Sequence, residues 1–202
     1  MIHPLPDPLP LARERGNYSL RVKSIRDVAG GELAWLQPAR TKQAFELHSG
    51  DEVVGTLVWA RMSLATGETA DGSWTFKREG FWHPRVTVRP AGSEDNIAQF
   101  SPNWGGGGTL DIVGRQQLRF GSANFWRSQW DWLDAAGKPL VHFKSSQGLF
   151  KLEGQVEIEP DAAASPDVPM LVVLGWYLLV LLARDAAASS AGTVAVIGAA
   201  GT

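Results

Sequence analysis

The longest uninterrupted apolar stretch of the chain runs from Met170 to Ala183 and contains no charged residue. Read at 3.6 residues per turn, it is apolar on every side, so a helix here has no polar face to turn toward water. Fourteen helical residues extend about 21 Å, whereas the hydrocarbon core of a bilayer requires about 20 residues of helix. The pattern therefore predicts a helix that is buried by protein, and we place it at 168–185.

The residues at both ends of this stretch agree with a helix. Asp167 precedes it as an N-cap, and Pro169 falls in the first turn, where a missing backbone N–H is tolerated. Arg184 lies at the C-terminal end, where the helix dipole favours a positive charge.

The rest of the chain has a different periodicity. From Tyr18 to Glu159, short runs of alternating apolar and polar residues are separated by turn residues about every 8 to 12 positions, which is typical of a β-sandwich or barrel. We count about twelve strands, and we expect them to be antiparallel because the connections are too short for crossover helices. The clearest strand runs from Asn124 to Asp134.

These two patterns fit together in one assembly. An eight-stranded barrel is filled by its own side chains, and an eleven-stranded barrel can enclose a helix. A barrel of about twelve strands should leave a lumen close to the ~10–12 Å diameter of a helix. The predicted fold is therefore mainly β: an antiparallel β-barrel of about twelve strands that encloses a central hydrophobic C-terminal α-helix.

The stripe formed by Trp126, Trp130 and Trp132 on the clearest strand has two interpretations. It matches a stacking platform for sugars or bases. It also matches a core face packed against the helix, where Gly175 would leave room for a ring. Period-two stripes more often form a core, so we predict a core position for these rings.

The two ends of the chain differ from the barrel in composition. Prolines at positions 4, 6, 8 and 10 favour an extended backbone and argue against the apolar helix of a signal peptide. Residues 186–202 are small and uncharged. We therefore divide the chain into a proline-rich arm (1–17), a barrel domain with its helix (18–185) and a flexible Ala/Gly/Ser tail (186–202).

Composition argues against several functional classes. A formal net charge of −2 is unlike that of a nucleic-acid-binding protein, which normally carries a basic excess. The chain has no cysteine, which excludes disulfides, thiolate catalysis and Cys-ligated zinc and agrees with a cytoplasmic location. We expect no cofactor.

Catalytic and metal-binding patterns are also missing from the sequence. His3, His48, His83 and His142 are scattered, and none has metal-ligand spacing with a second ligand. The Gly105 to Gly108 run lacks the Lys-Ser/Thr ending of a nucleotide loop, so we interpret it as a flexible link. No Gly-x-Ser-x-Gly elbow occurs. We therefore predict that the protein is not an enzyme and has neither catalytic residues nor a metal site.

The best candidate binding surface is basic. Lys77, His83, Arg85 and Arg89 fall on the outward face of one predicted hairpin, where their charge could hold a phosphate or an anionic lipid surface. The alternative is an ordinary solvated barrel wall, since Glu79 lies nearby.

The segment from Asp167 to Leu181, DVPMLVVLGWYLLVL, resembles the closing segment of bacterial and plant members of the tubby C-terminal-like superfamily. There, an acidic residue and a proline precede an apolar helix. The superfamily includes tubby proteins, phospholipid scramblases and LURP-one-related proteins. The resemblance covers residues 18–185 as a pattern of strands and implies a barrel closed by a central helix. It also implies binding of phosphoinositide head groups or association with membranes, although no acidic calcium-loop pattern is present.

Three functional hypotheses follow. The first is a non-catalytic binding module for anionic lipid head groups or a protein partner, cytoplasmic and peripheral to the membrane, with the basic hairpin as its site. The second is a tail-anchored membrane protein that uses 168–185 as its anchor. The central positions of Trp176 and Tyr177 argue against it, because membrane spans place these rings at the interfaces. The third is an uncharacterised hydrolase.

Overall fold

The computed structural model describes residues 23–38, 43–80, 82–147 and 152–198. A 3₁₀ turn spans Arg26–Val28, and one long helix, α1, spans Val168–Gly198. Between them the described residues form twelve strands: β1 (Leu33–Leu36), β2 (Ala44–Ser49), β3 (Glu52–Trp59), β4 (Leu64–Thr69), β5 (Gly72–Glu79), β6 (Arg85–Pro90), β7 (Ala98–Pro102), β8 (Gly108–Ile112), β9 (Leu118–Ser122), β10 (Gln129–Leu133), β11 (Pro139–Gln147) and β12 (Leu152–Ile158).

The twelve strands form one closed antiparallel barrel. Each strand pairs with the next along the chain, and β1 also pairs with β12. Closure leaves no unpaired strand edge in the sheet. The predicted antiparallel barrel of about twelve strands around a C-terminal helix is confirmed.

Period-two alternation places the large apolar side chains of the strands inside the barrel. In β5, Trp74 and Phe76 are buried while Thr75 between them is partly exposed. In β10, Trp130 and Trp132 are buried in the same way. Successive side chains point to opposite faces of a strand, so one row of each strand faces the lumen; this row is mainly apolar, except in β4, where it consists of Ala65, Gly67 and Thr69.

Helix α1 occupies that lumen. Every residue from Val168 to Leu181 is buried. The indole N–H of Trp132 donates a hydrogen bond to the Leu171 carbonyl oxygen (2.9 Å). The hydroxyl of Tyr177 donates one to the Ser63 carbonyl oxygen (2.7 Å). The helix is therefore hydrogen-bonded to the barrel wall near its start and to the connection after β3 farther along.

Glycines let the helix and the wall approach each other closely. A Cβ atom at Gly154 on β12 would lie 2.6 Å from the Trp176 ring. A Cβ atom at Gly175 on α1 would lie 2.9 Å from Trp132 Nε1 and would also clash with the Phe143 ring. Both positions lack space for a side chain. The expectation that Gly175 leaves room for a ring is confirmed.

Contacts at its two ends show the direction of α1 in the barrel. Near its start, Asp167 forms an ion pair with Arg115 in the connection after β8 (3.3 Å). Farther along, Arg184 donates a hydrogen bond to the Met62 carbonyl oxygen in the connection after β3 (3.4 Å). Antiparallel strands alternate in direction, so these two connections lie at opposite ends of the barrel.

We name the two ends by the course of the helix. The lower end, where α1 begins, comprises 50–51, 70–71, 91–97, 113–117, 134–138 and 159–167, which follow the even-numbered strands. The upper end, where α1 leaves the barrel, comprises the connections after the odd-numbered strands; their described residues are 37–38, 43, 60–63, 80, 82–84, 103–107 and 123–128.

The sequence-based boundaries differ from the structure in several places. The helix continues to Gly198, so both the predicted end at 185 and a separate tail starting at 186 are wrong. Three alanines at 186–188 extend the helix, because alanine has the highest helix propensity. The predicted arm (1–17) and the strand predicted near Leu20 lie outside the described residues. The sequence pattern does not predict strand β4, because its sequence LATGET has no alternating large apolar residues.

Judged by length and composition alone, α1 could cross a membrane over Val168–Ser189. However, 67% of its most apolar window is buried inside the barrel. Core helices of soluble proteins meet the same criterion, so this property does not identify a membrane span.

The close approach at Gly154 makes a testable prediction. Substitution of Gly154 by Ala should lower the free energy of unfolding by about 1–3 kcal/mol, because the added methyl group overlaps the Trp176 ring. Urea unfolding followed by circular dichroism measures the change.

Gly121 on β9 provides the matched control. It is also a strand glycine, but no atom lies within 4 Å of the point that an added Cβ would occupy. Gly121→Ala should leave the unfolding midpoint unchanged or slightly higher. Equal midpoints for the Gly154→Ala variant and the unmodified protein would contradict the packing described above.

Candidate functional site

Two of the four residues predicted to bind lipid head groups are engaged within the protein. Lys77 on β5 forms an ion pair with Glu79 (2.8 Å). Arg89 on β6 forms one with Glu94 (2.8 Å), and Glu94 belongs to the lower end. The predicted basic hairpin is therefore partly neutralised by its own carboxylates.

The other two residues, His83 and Arg85, are exposed at the upper end, and neither forms an ion pair with a residue that the structure describes. The hydrogen bond from Lys77 holds the pKa of Glu79 below its usual value against the opposing effect of burial. The charges of Arg89 and Arg85 lower that pKa further. Arg85 lies directly opposite Glu79 on the neighbouring strand and interacts with its carboxylate electrostatically, without forming a close ion pair.

Exposed apolar side chains are concentrated at the upper end of the barrel. Six large hydrophobic side chains in the described part of the chain are exposed, and only Val113 belongs to the lower end. The other five come from four connections of the upper end, those after β3, β5, β7 and β9, and are at least 82% exposed. They are Met62, Trp82, Trp104, Phe125 and Trp126.

The predicted core position of Trp126 is wrong. Trp130 and Trp132 are buried as predicted, but Trp126 is 82% exposed. Strand β10 begins only at Gln129, and Arg127 adopts a φ of 53°, which breaks the period-two alternation before Trp126 is reached.

Trp82 also lies outside the core. Its side chain is 84% exposed. Strand β6 starts only at Arg85, directly after Pro84, which has no N–H to offer to a neighbouring strand.

Side-chain hydrogen bonds hold the 123–128 connection in its shape. The Asn124 Oδ1 atom accepts hydrogen bonds from the backbone N–H groups of Ser128 (3.0 Å) and Gln129 (3.3 Å). Its Nδ2 group donates to Ser128 Oγ (2.9 Å). The rings of Phe125 and Trp126 pack edge to face on this turn, with centroids 5.5 Å apart. An ordered turn therefore presents two aromatic rings to solvent.

The two ends of the barrel differ strongly in charge. The described residues of the upper-end connections include Arg61, His83 and Arg127 and no Asp or Glu. The lower-end connections contain two basic residues, Arg115 and Lys138, and the segment before β1 adds Lys23 and Arg26, which pairs with Asp71; the connections hold a larger set of carboxylates. These are Asp51, Asp71, Glu94, Asp95, Asp134, Glu159, Asp161 and Asp167.

A shallow pocket of about 400 Å³ lies between two upper-end connections, 103–107 and 123–128. Its polar lining includes Asn103, Asn124 and Arg127, and none of its lining residues is acidic. Gly108, predicted as part of a flexible link, instead starts β8, and a Cβ there would clash with the neighbouring strand. The pocket is therefore walled by ordered backbone and carries one cation.

A second concave region, a groove of about 770 Å³, follows the outer wall at β1, β10, β11 and β12. Within it, His142 on β11 contacts two carboxylates. Its Nδ1 atom lies 2.9 Å from Asp131 Oδ1, and its Nε2 atom lies 2.8 Å from Glu159 Oε1. Sequence reasoning missed this cluster because its members are far apart in the chain. The register that pairs Asp131 with His142 brings them together.

The two carboxylates control the protonation of His142. Only the doubly protonated imidazolium can donate to both of them, because carboxylates accept hydrogen bonds but do not donate them. Burial by itself lowers the pKa of His142, but the hydrogen bonds to Glu159 and Asp131, together with their charges, outweigh this effect and raise the pKa.

The described lining of the groove contains no hydroxyl or thiol side chain that could act as a nucleophile beside His142. Across the described residues, no group of three or more His, Asp or Glu side chains converges to hold a metal ion. The cluster is explained as a cross-strand ionic contact on the barrel wall.

No family model, curated protein or solved structure matches this chain. The resemblance of the 167–181 segment to the tubby C-terminal-like superfamily therefore remains a prediction. Function has to be argued from the geometry and charge of the barrel itself.

The raised pKa of His142 predicts a specific pH dependence of stability. The charged imidazole stabilises the fold fully below the pKa of an unfolded histidine, and this contribution is lost as the pH rises through the higher folded pKa. His142→Gln should therefore destabilise the protein more at pH 5.5 than at pH 9. Thermal unfolding at both pH values measures the difference.

His83→Gln is the matched control, since His83 is exposed at the other end of the barrel. This substitution should leave the melting temperature close to that of the unmodified protein at both pH values. An equal destabilisation by His142→Gln at low and high pH would contradict the role assigned to the carboxylate pair.

Proposed function

We propose that this protein is a non-catalytic binding module that attaches to an anionic, phosphate-bearing membrane surface through the upper end of its barrel. The observation that supports the proposal is the opposite charge of the two ends. Arg61, Arg85 and Arg127 are exposed there, and none of them forms a close ion pair with a carboxylate among the described residues. The carboxylates are concentrated at the lower end.

Electrostatic attraction at a membrane surface favours binding through the basic upper end. An anionic leaflet attracts each nearby Lys or Arg by about 1 kcal/mol, and the attraction fades over a Debye length of about 8 Å at physiological salt. The strands have four to nine residues, which separates the two ends by about 13–30 Å along the strands. The acidic lower end therefore lies outside the range of the surface when the upper end binds.

The pocket between 103–107 and 123–128 suggests the ligand class. Arg127 supplies a guanidinium group, which binds phosphate oxygens well, and Asn103 lines the same pocket, whereas the Asn124 amide is engaged with Ser128 and Gln129. A phosphate-bearing lipid head group fits this combination. The tubby resemblance implies the same class. The corresponding location is the cytoplasmic face of a membrane, where the protein would bind peripherally.

The two alternatives have weaker support. A tail anchor formed by 168–185 would require exposure of residues that are buried inside the barrel from Val168 to Leu181. A hydrolase would require catalytic groups that converge on a substrate, whereas His142 in the groove is engaged by its own ion pairs with Asp131 and Glu159. A protein partner at the upper end is the remaining alternative for a binding module.

Sedimentation with lipid vesicles tests the proposal. The full-length protein should sediment with vesicles that contain an anionic phospholipid and remain soluble with vesicles of phosphatidylcholine alone. Arg61→Gln combined with Arg127→Gln should weaken this binding by about 30-fold, since removal of two basic residues corresponds to about 2 kcal/mol.

Arg115→Gln combined with Lys138→Gln is the matched control at the lower end. It removes the same amount of charge, and the exposed ion pairs that it breaks contribute little to stability. Vesicle binding of this control should match that of the unmodified protein. The proposal is wrong if both double variants bind equally, or if the unmodified protein ignores lipid charge.

A further inference from the structure

We infer that the upper end inserts Trp104, Phe125 and Trp126 into the lipid interface, so that the barrel stands on the membrane with α1 pointing toward the bilayer. This inference rests on the proposed function and deepens it, because charge alone would hold the protein above the head groups. The surface consists of these three rings, Met62 and the basic residues Arg61 and Arg127.

The position of the exposed rings supports insertion. Trp104 is 104% exposed, and Phe125 and Trp126 are 90% and 82% exposed. They project from two different connections at the end of the barrel from which α1 emerges, so both the rings and the helix extension would face the bilayer. Tryptophan has an apolar body and one N–H donor, which suits the boundary between head groups and acyl chains.

The backbone that carries the rings is held in a conformation with an energetic cost. Arg127 has a φ of 53°, which is rarely adopted by residues other than glycine. Three hydrogen bonds of Asn124 and one from the Trp130 indole N–H to the Arg127 carbonyl oxygen (2.9 Å) stabilise this turn. The fold thus holds Phe125 and Trp126 in water on an ordered turn, although burial would stabilise it more.

The charge around the rings identifies the occupant as an anionic bilayer. Arg61 lies next to Met62, and Arg127 lies next to Trp126. Two carboxylates near this end, Glu79 and Asp185, are ion-paired with Lys77 (2.8 Å) and Arg78 (2.6 Å) respectively. A second copy of the chain would bring one positive end against another, which disfavours self-association through this surface.

The course of α1 agrees with this orientation. Residues 185–189 of the helix are exposed, so α1 has left the barrel at the upper end by Asp185. Its backbone continues to Gly198, which adds about 20 Å in the same direction. The sequence from Ala186 to Thr202 contains no charged residue. A polypeptide extension that carries no charge is compatible with a position close to lipid.

A fluorescent label can test the inference directly, because the chain has no cysteine of its own. Trp104→Cys and Trp126→Cys, each labelled with the environment-sensitive dye NBD, report on the upper end. Val113→Cys is the matched control, because Val113 is an exposed apolar residue of the lower end (74%). With anionic vesicles, NBD emission at positions 104 and 126 should shift to shorter wavelength and increase, while emission at position 113 should not change.

A charge-neutral variant provides the second test. Trp104→Ala, Phe125→Ala and Trp126→Ala combined should weaken vesicle binding about tenfold or more, because the apolar area is lost while every charge remains. The residual binding should disappear in 0.5 M salt, whereas the unmodified protein should stay partly bound. All three side chains are exposed, so the thermal unfolding midpoint should be unchanged, and Val113→Ala should bind like the unmodified protein.

The outcomes separate the inference from the proposed function. If the protein binds anionic vesicles but the dye at 104 and 126 does not respond, charge binding stands and insertion is wrong. If the protein does not bind vesicles at all, both are wrong. If it forms dimers in buffer that the triple variant abolishes, and vesicles do not compete for them, the surface is an interface between copies and the inference is overturned.

Discussion

The fit between one apolar helix and the lumen of a twelve-stranded barrel is the constraint on which the rest of the structure depends. The helix is apolar on every side, and the strands line the lumen with mainly apolar rows, so each element buries the other. The fit is close enough that glycine is needed on both partners, at Gly154 on the wall and Gly175 on the helix. A barrel of this size without its helix would contain a large void, and proteins pack their interiors too densely to tolerate one. Closure of the sheet and insertion of the helix are therefore expected to occur together.

Filling the lumen in this way has a consequence for function. The inside of the barrel is occupied by α1, so ligands have to be bound by the connections or by the outer wall. Connections are the usual carriers of binding residues on a rigid scaffold. The helix also gives the barrel a direction, because it begins at the acidic lower end and leaves at the basic, aromatic upper end. The two ends are thus physically different surfaces on one rigid body.

Several features of the candidate surface could not be predicted from local patterns. Trp126 shares the period-two spacing of Trp130 and Trp132, yet a turn held by Asn124 removes it from the strand. The contact between His142 and its two carboxylates depends on strand register. Two residues of the predicted basic hairpin, Lys77 and Arg89, form ion pairs with Glu79 and Glu94. Predicting which face of a strand a residue occupies does not reveal such partners.

The sequence alone determined the class of fold. The signals are local: period-two runs, short connections, and an apolar segment with helix-capping residues at its ends. Each can be recognised without knowing which segments pack against it. Tertiary structure decided which residues share a surface. Met62, Trp104 and Trp126 are separated by 42 and 22 positions in the chain. They lie at one end of the molecule only because alternate connections of an antiparallel barrel lie at the same end. No local pattern contains that information, because it arises from the order and direction of all the strands together.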